Sequence, residues 1–342
     1  MIDGKSQVVN ILLDKDKQGR ERPWRDKKIN NLLVSKLYRS ISDFDGDYFS
    51  RKADRLADCS TFLAFSVQST PSCEGETLKL KSANSCRVRL CPMCAWRRTL
   101  KIGSHARKIF SYLDNHYHDK YSYLLLTLTV PNCKGSELSA TIDKLMSAYD
   151  RLFKRKEVKF IVRGWYRGLE VTHNHKLGSK SYDTYHPHFH VLLVVDKDYL
   201  HYRQVSKGYI SRDRWLQLWQ ECCRDDSITQ VDIRSVKPKA GKGLLGAICE
   251  VTKYTVKDKD YIIPYDWSLS QDIVKTLDGA LAGRRLVSWG GVLKDVKKML
   301  SLDDEIDGDL VHIDLDDNDV DSGCSDTLFA FWHTGYQQYI VK

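Results

Sequence analysis

Three groups of residues in this chain have types and spacings suited to chemistry. The first is His188-Phe-His190, which runs straight into Val191-Leu-Leu-Val-Val195. On a β-strand side chains alternate, so His188 and His190 share a face while Phe189 enters the opposite layer. Two imidazoles on one face make a pair of metal ligands. A carboxylate-bearing segment, Gly168-Leu-Glu170-Val-Thr172, lies one polar loop upstream. If the two strands pair antiparallel through that loop, Glu170 faces the histidines as an oxygen ligand, and two nitrogens with one carboxylate suit Mg²⁺ or Mn²⁺ on a phosphate. His186 has the same parity, but Pro187 marks the strand start, which leaves its part in the site open.

The second group is Glu250, Tyr254 and Lys257, in a stretch (242–257) that reads as a helix. Spacings of four and three place them on nearly one side. A phenol of ordinary pKa about 10 is a poor nucleophile until a metal, lysine or base gives it phenolate character. The third group is Cys86, Cys91 and Cys94. Cys91 and Cys94 have the Cys-x-x-Cys spacing of half a tetrahedral thiolate site, Cys86 adds a third ligand, and the fourth is Cys59, then Cys73, then His105 in order of preference. The expected metal is a structural Zn²⁺, with Arg97 and Arg98 just beyond it placed for DNA phosphates.

The elements that must position these residues follow from periodicity. Residues 121–130, 163–172, 188–195 and 228–236 read as strands. Leu138, Ile142, Leu145, Tyr149 and Leu152 repeat at helical spacing, as do Trp215, Leu218, Trp219 and Cys222. Strands joined by hairpin-length and helical connections predict an α+β fold, an antiparallel sheet flanked by helices. The chain divides into a basic extension (1–58), a cysteine-rich module (59–105), the main catalytic domain (106–265), a helical extension (266–302) and an acidic linker and tail (303–342).

The net charge of +9 conceals an asymmetry. Residues 303–326 hold eleven Asp and Glu and no Lys or Arg, so residues 1–302 carry 53 cations against 34 acids, a balance of +19. A surface of that sign attracts phosphate-rich partners, and the acidic stretch is expected to stay out of any core. No run of about 18 apolar residues and no signal-peptide pattern is present, so a cytoplasmic protein without a membrane partner is expected. Ten cysteines without a secretory signal read as metal ligands and buried thiols rather than disulfides.

Taken together these motifs resemble the plasmid rolling-circle replication initiators of small Gram-positive plasmids, a branch of the HUH endonuclease superfamily. The likeness covers most of the chain. It is carried by Arg22-Pro-Trp-Arg25, Leu90-Cys-Pro-Met-Cys94 with Trp96-Arg-Arg98, Leu126-Thr-Leu-Thr129, Glu170-Val-Thr172, His188-Phe-His190, Lys253-Tyr254 with Lys257-Asp258, and Arg285-Leu-Val-Ser-Trp-Gly-Gly291. The resemblance implies that His188 and His190 are the metal pair, Glu170 the further ligand, Leu126–Thr129 the floor of the site, Tyr254 the nicking tyrosine and Glu250 the base for termination. It further implies double-strand origin DNA and single-stranded DNA as partners, with host DNA polymerase extending the free 3′-OH and a homodimer allowed. A host helicase is implied because the chain has no phosphate-binding Gly-x-x-x-x-Gly-Lys-Ser/Thr loop. Two other readings are an HUH transposase or mobilisation relaxase, and a zinc-containing DNA-binding regulator without catalysis. The latter leaves the His188/His190 strand and the Glu250/Tyr254 segment without a purpose.

Overall fold

The computed structural model describes residues 10–16, 18–45, 47–69, 76–201, 208–237, 246, 248, 257–313 and 326–342. It resolves into two units, residues 1–97 with 309–342, and residues 98–308. Both are α+β, with antiparallel sheets.

In the first unit, α1 (Trp24–Asp45) and α2 (Asp47–Asp58) pack as a hairpin, burying Val34, Leu37 and Tyr38 of one and Ala53 and Leu56 of the other. The segment read as a charged extension is thus structured. Apart from the buried Lys28, its charges line one side of each helix while an apolar stripe at helical spacing lies beneath them. β1 (Phe62–Ser69) and β2 (Glu76–Ala83) belong to a four-stranded sheet completed by β8 (Thr327–His333) and β9 (Gln338–Val341), in the order β2-β1-β8-β9. The residues after 326, expected as tail, are therefore sheet.

The long helix α3 (Pro92–His116) starts in the first unit, and its residues from Arg98 onward belong to the second. There β3 (Tyr121–Thr129), α4 (Leu138–Leu152), α5 (Lys156–Ile161), β4 (Val162–Asn174), β5 (Thr184–Asp196), α6 (Arg212–Cys223), β6 (Val231–Ser235), α7 (Trp267–Leu281), β7 (Val287–Gly291) and α8 (Val292–Met299) follow in turn. The five-stranded sheet has the order β6-β3-β5-β4-β7. Its central strand β5 is buried from Val191 to Val195, the mark of a strand covered on both faces.

Tyr149 of α4 packs its ring 5.3 Å from Phe189 and 5.3 Å from Trp165. This fixes which way β5 faces, because with Phe189 against the helix the neighbouring His188 and His190 must point to the other side. Helix α6 is held at its start by Ser211, which accepts from the Arg214 N–H, and Trp219 donates to the Thr129 carbonyl at 2.7 Å. Strand β7 was not expected, being only five residues long and glycine-ended. Gly290 passes so near Trp165 that a Cβ there would lie 2.2 Å from the indole, which explains a glycine within the strand.

The start of the acidic stretch also departs from expectation. Glu305 is buried, accepting from the Trp289 indole at 2.8 Å and from Lys297 at 2.5 Å, with His105 Nδ1 at 3.0 Å. A buried carboxylate is tolerated when such donors surround it. Burial would raise its pKa, but the His105 hydrogen bond and the Lys297 charge hold it at about 2.

Candidate metal centre and thiol cluster

The register of the second sheet assembles the first site. β5 lies between β3 and β4, with Thr129 and Glu170 opposite His188, and Thr127 and Gly168 opposite His190. Glu170, His188 and His190 offer ligand atoms that all lie within 4.8 Å of one another. Glu170 Oε2 is 3.2 Å from His190 Nε2 and 3.9 Å from His188 Nε2. Glu170 and His188 are buried, whereas the His190 side chain is about a third exposed (32 %), so the trio opens on that side.

The hydrogen bonds set the ligand atoms. His188 Nδ1 donates to the His186 carbonyl at 3.0 Å, leaving Nε2 with its lone pair toward Glu170. Thr127 Oγ1 stands 3.4 Å from His190 Nδ1, and the Nε2 of that ring is turned to Glu170. Burial pulls the His188 pKa down to about 4, so the ring is neutral at neutral pH. Burial opposes the charge on Glu170, but hydrogen bonds from His190 and Lys257 and the Lys257 charge outweigh it and hold its pKa at about 2. A neutral His188 imidazole beside an ionised carboxylate suits a divalent cation, which binds deprotonated ligands.

His186 stacks on His188 with centroids 4.8 Å apart, and its contribution is the carbonyl that orients that ring, its side chain lying outside the converging trio. Lys257 is ion-paired with Glu170 Oε1. The spacing with Tyr254 did not point to this contact, and no sequence signal links residues 87 positions apart. Glu250, Tyr254 and most of the helix predicted over 242–257 lie outside the described residues.

In the first unit, Cys59, Cys86, Cys91 and Cys94 converge, all buried. Their sulfurs are 3.6 Å (Cys59 to Cys91), 3.7 Å (Cys59 to Cys94) and 3.8 Å (Cys86 to Cys94) apart. Those separations are far too long for disulfides. They match the roughly 3.8 Å between sulfurs of a tetrahedral zinc with ~2.3 Å bonds. Backbone N–H groups of Cys86, Arg87 and Cys94 point at Sγ atoms of Cys59, Cys94 and Cys91 at 3.3–3.4 Å. Burial and the mutual crowding of the sulfurs raise the Cys91 pKa, so without a cation that thiol stays protonated.

Of the three candidates for the fourth position, Cys59 is the one at the cluster. His105 is engaged with Glu305, and Cys73 lies outside the described residues. Lys28 and Asn31 are supporting residues the motif gave no hint of. Lys28 is fully buried, donating to the Ala57 and Cys59 carbonyls at 2.8 and 2.6 Å, and Asn31 Oδ1 accepts from Cys91 Sγ at 3.0 Å. Arg97 and Arg98, expected to face phosphates, are buried instead. Arg97 donates to the Leu310 and Val311 carbonyls at 2.9 and 3.0 Å and lies 5.5 Å from the rings of Trp24 and Trp96. Basic residues on a helix that is itself packed on several sides serve the core, and sequence periodicity does not distinguish that from a DNA-facing stripe.

An α+β protein with a two-histidine, one-carboxylate centre and a four-thiol cluster is thereby defined, and the comparisons give its family. A replication-protein family model, Rep_1, matches residues 77–340, and the chain belongs to this family. It is 38 % identical to a protein named Protein rep from Bacillus amyloliquefaciens, over 97 % of this chain and 98 % of that one. Proteins of the same name from Streptococcus pneumoniae serotype 2 and Lactiplantibacillus plantarum are 36 % and 34 % identical, covering 97 % and 98 % of this chain and 96 % and 100 % of theirs. The resemblance to plasmid rolling-circle replication initiators drawn from the motifs is thus met. No solved structure matches. No helix among the described residues is long and apolar enough to cross a membrane.

Proposed function

We propose that this replication protein initiates rolling-circle replication of a plasmid by nicking its double-strand origin, as an HUH-type endonuclease with Tyr254 as nucleophile. The observation that carries the reading is the convergence of Glu170, His188 and His190 on one face of the sheet, with both rings turned so that Nε2 faces the carboxylate. The donor set fits Mg²⁺ or Mn²⁺, because it combines a carboxylate with two imidazole nitrogens and is open beside His190. When bound there, such a cation withdraws charge from a phosphate under attack.

The chain's own residues do the rest. Tyr254 attacks one phosphodiester of single-stranded origin DNA. The P–O3′ bond breaks, a 5′-phosphotyrosine forms and a 3′-OH is released for host polymerase, with a host helicase opening the duplex. The phosphotyrosine retains the bond energy for rejoining. Lys257, ion-paired with Glu170, supplies a cation near the phosphate and keeps the carboxylate ionised. Glu250 deprotonates water for the second cleavage, which an enzyme with one nucleophilic phenol needs to end the cycle. The thiol cluster holds Zn²⁺ as a structural element, its sulfur separations fitting a closed tetrahedral site. The protein acts in the cytoplasm, where its template is.

Mapping the covalently modified residue by mass spectrometry, after reaction with an origin oligonucleotide and Mn²⁺, tests the reading. A nucleotide adduct on the peptide containing Tyr254 is expected. An adduct on any other residue, or strand cleavage without one, refutes the assignment.

A further inference from the structure

The four-stranded sheet of the first unit carries an aromatic face that the nicking reaction does not use. Along β8 exposure alternates, with Phe329, Phe331 and His333 open to solvent and Ala330 fully buried between them. Phe329 is 41 % and Phe331 38 % exposed, high values for phenylalanines in a sheet. Phe62 of β1 lies beside both, its ring centroid 6.0 Å from Phe329 and nearly parallel to it at 26°, and 5.3 Å from Phe331. Lys342 Nζ stands 5.4 Å from the Phe331 ring centre. The row continues to the β8–β9 turn, where His333 and Tyr336 have centroids 4.5 Å apart.

Rings two residues apart on one strand face recur about every 7 Å. Apolar groups held in solvent at such a cost mark a binding surface. Charge indicates the occupant. Among the residues of β1, β2, β8 and β9 and those adjoining β8 and β9, the acids are Glu76 and Asp326, against Lys79 and Lys81 of β2 and Lys342. Flat rings with flanking cations that outnumber the carboxylates fit bases and phosphates together. A duplex hides the faces of its bases inside the stack, so it cannot use the rings.

We propose that this face, built from Phe62, Phe329 and Phe331 with Lys342, binds single-stranded DNA by stacking bases on the phenylalanine rings. It is a second nucleic-acid contact, made by residues that are neither metal ligands nor nucleophile, and it does not depend on the nicking assignment. Its preference is for unpaired bases of any sequence, since every base has a face to stack.

The test uses the full chain, fluorescent oligo(dT) and a duplex of equal length, without added divalent metal. The double variant Phe329→Leu/Phe331→Leu keeps apolar bulk but removes the aromatic faces. It should bind oligo(dT) at least about tenfold more weakly, with duplex affinity and thermal melting unchanged, whereas Phe331→Tyr should bind like the parent. Unchanged oligo(dT) affinity in the double leucine variant overturns the proposal, and so does an equal loss on duplex. If sedimentation shows a dimer that the leucine variant dissociates while oligo(dT) binding persists, the face belongs to a second copy of the chain and the proposal fails.

Discussion

Glu170 and His188 are direct cross-strand partners, on neighbouring antiparallel strands whose sequence positions are joined by one loop. A shift of one residue in that register would send the whole face of one strand to the other side and dismantle the Glu170/His188/His190 trio. The anchor against such a slip lies on the opposite layer, where Phe189 and Trp165 both pack on Tyr149.

Replacing His188 and His190 together by alanine should abolish cleavage of single-stranded origin DNA while duplex binding stays within about twofold, because phosphate contacts spread over a basic surface dominate affinity. Gel assays with Mn²⁺, alongside calorimetric metal titration, measure both. Full nicking by the double variant in chelated buffer excludes the metal reading.

The strands and helices of the second unit were legible because their patterns are long and regular. β3, α4, β4, β5, α6 and β6 fall on the stretches where alternation or helical spacing is unbroken. The His188/His190/Glu170 grouping was legible for the same reason, since parity in a strand determines which side chains share a face. Short or interrupted strands were not, as with β7 and β1. Nor was the pairing of β1 with β8, which joins distant segments that no local pattern connects. The burial of Lys28, Arg97 and Glu305 was invisible as well, because it depends on partners supplied by other elements.

Purified without chelator, the protein should carry about one zinc per chain at the Cys59/Cys86/Cys91/Cys94 cluster. Cys91→Ser should lose it and cost the first unit several kcal/mol, since binding of a structural metal is coupled to folding. Elemental analysis and thermal melting check this. A metal-free protein with the same melting temperature as the variant leaves the four sulfurs as ordinary buried thiols.

Tyr254→Phe should fail to nick and form no adduct, yet bind origin DNA normally. Glu250→Ala should nick nearly normally and then run past the end point, giving overlong single strands. If Glu250→Ala blocks the first nick as completely as Tyr254→Phe, the glutamate serves the metal or the tyrosine rather than termination.

Glu305 gives the fold a pH signature. Its pKa of about 2 in the folded chain lies below the ordinary carboxylate value of 4.5, so its stabilising contribution is complete above 4.5 and fades as pH falls toward 2. The difference amounts to about 3 kcal/mol. Glu305→Gln should therefore be less stable by that order at pH 7, with the gap narrowing below pH 4.5. Urea unfolding at pH 7 and pH 3 measures it, and a gap of equal size at both values removes the ionised carboxylate as the cause.

The hydrogen bond from Tyr339 Oη to the Ser60 carbonyl, 2.6 Å long, joins residues 279 positions apart. At roughly 5–20 residues per second of synthesis, that separation corresponds to about 14–56 s. The ribosome thus delivers all four clustered cysteines and the whole of the second unit before the first sheet receives β8 and β9. During that interval β1 presents an unfilled edge. The second unit can mature as an insertion inside an unfinished neighbour, and translation halted within residues 309–326 would release a chain whose interior unit is whole while its outer one is not.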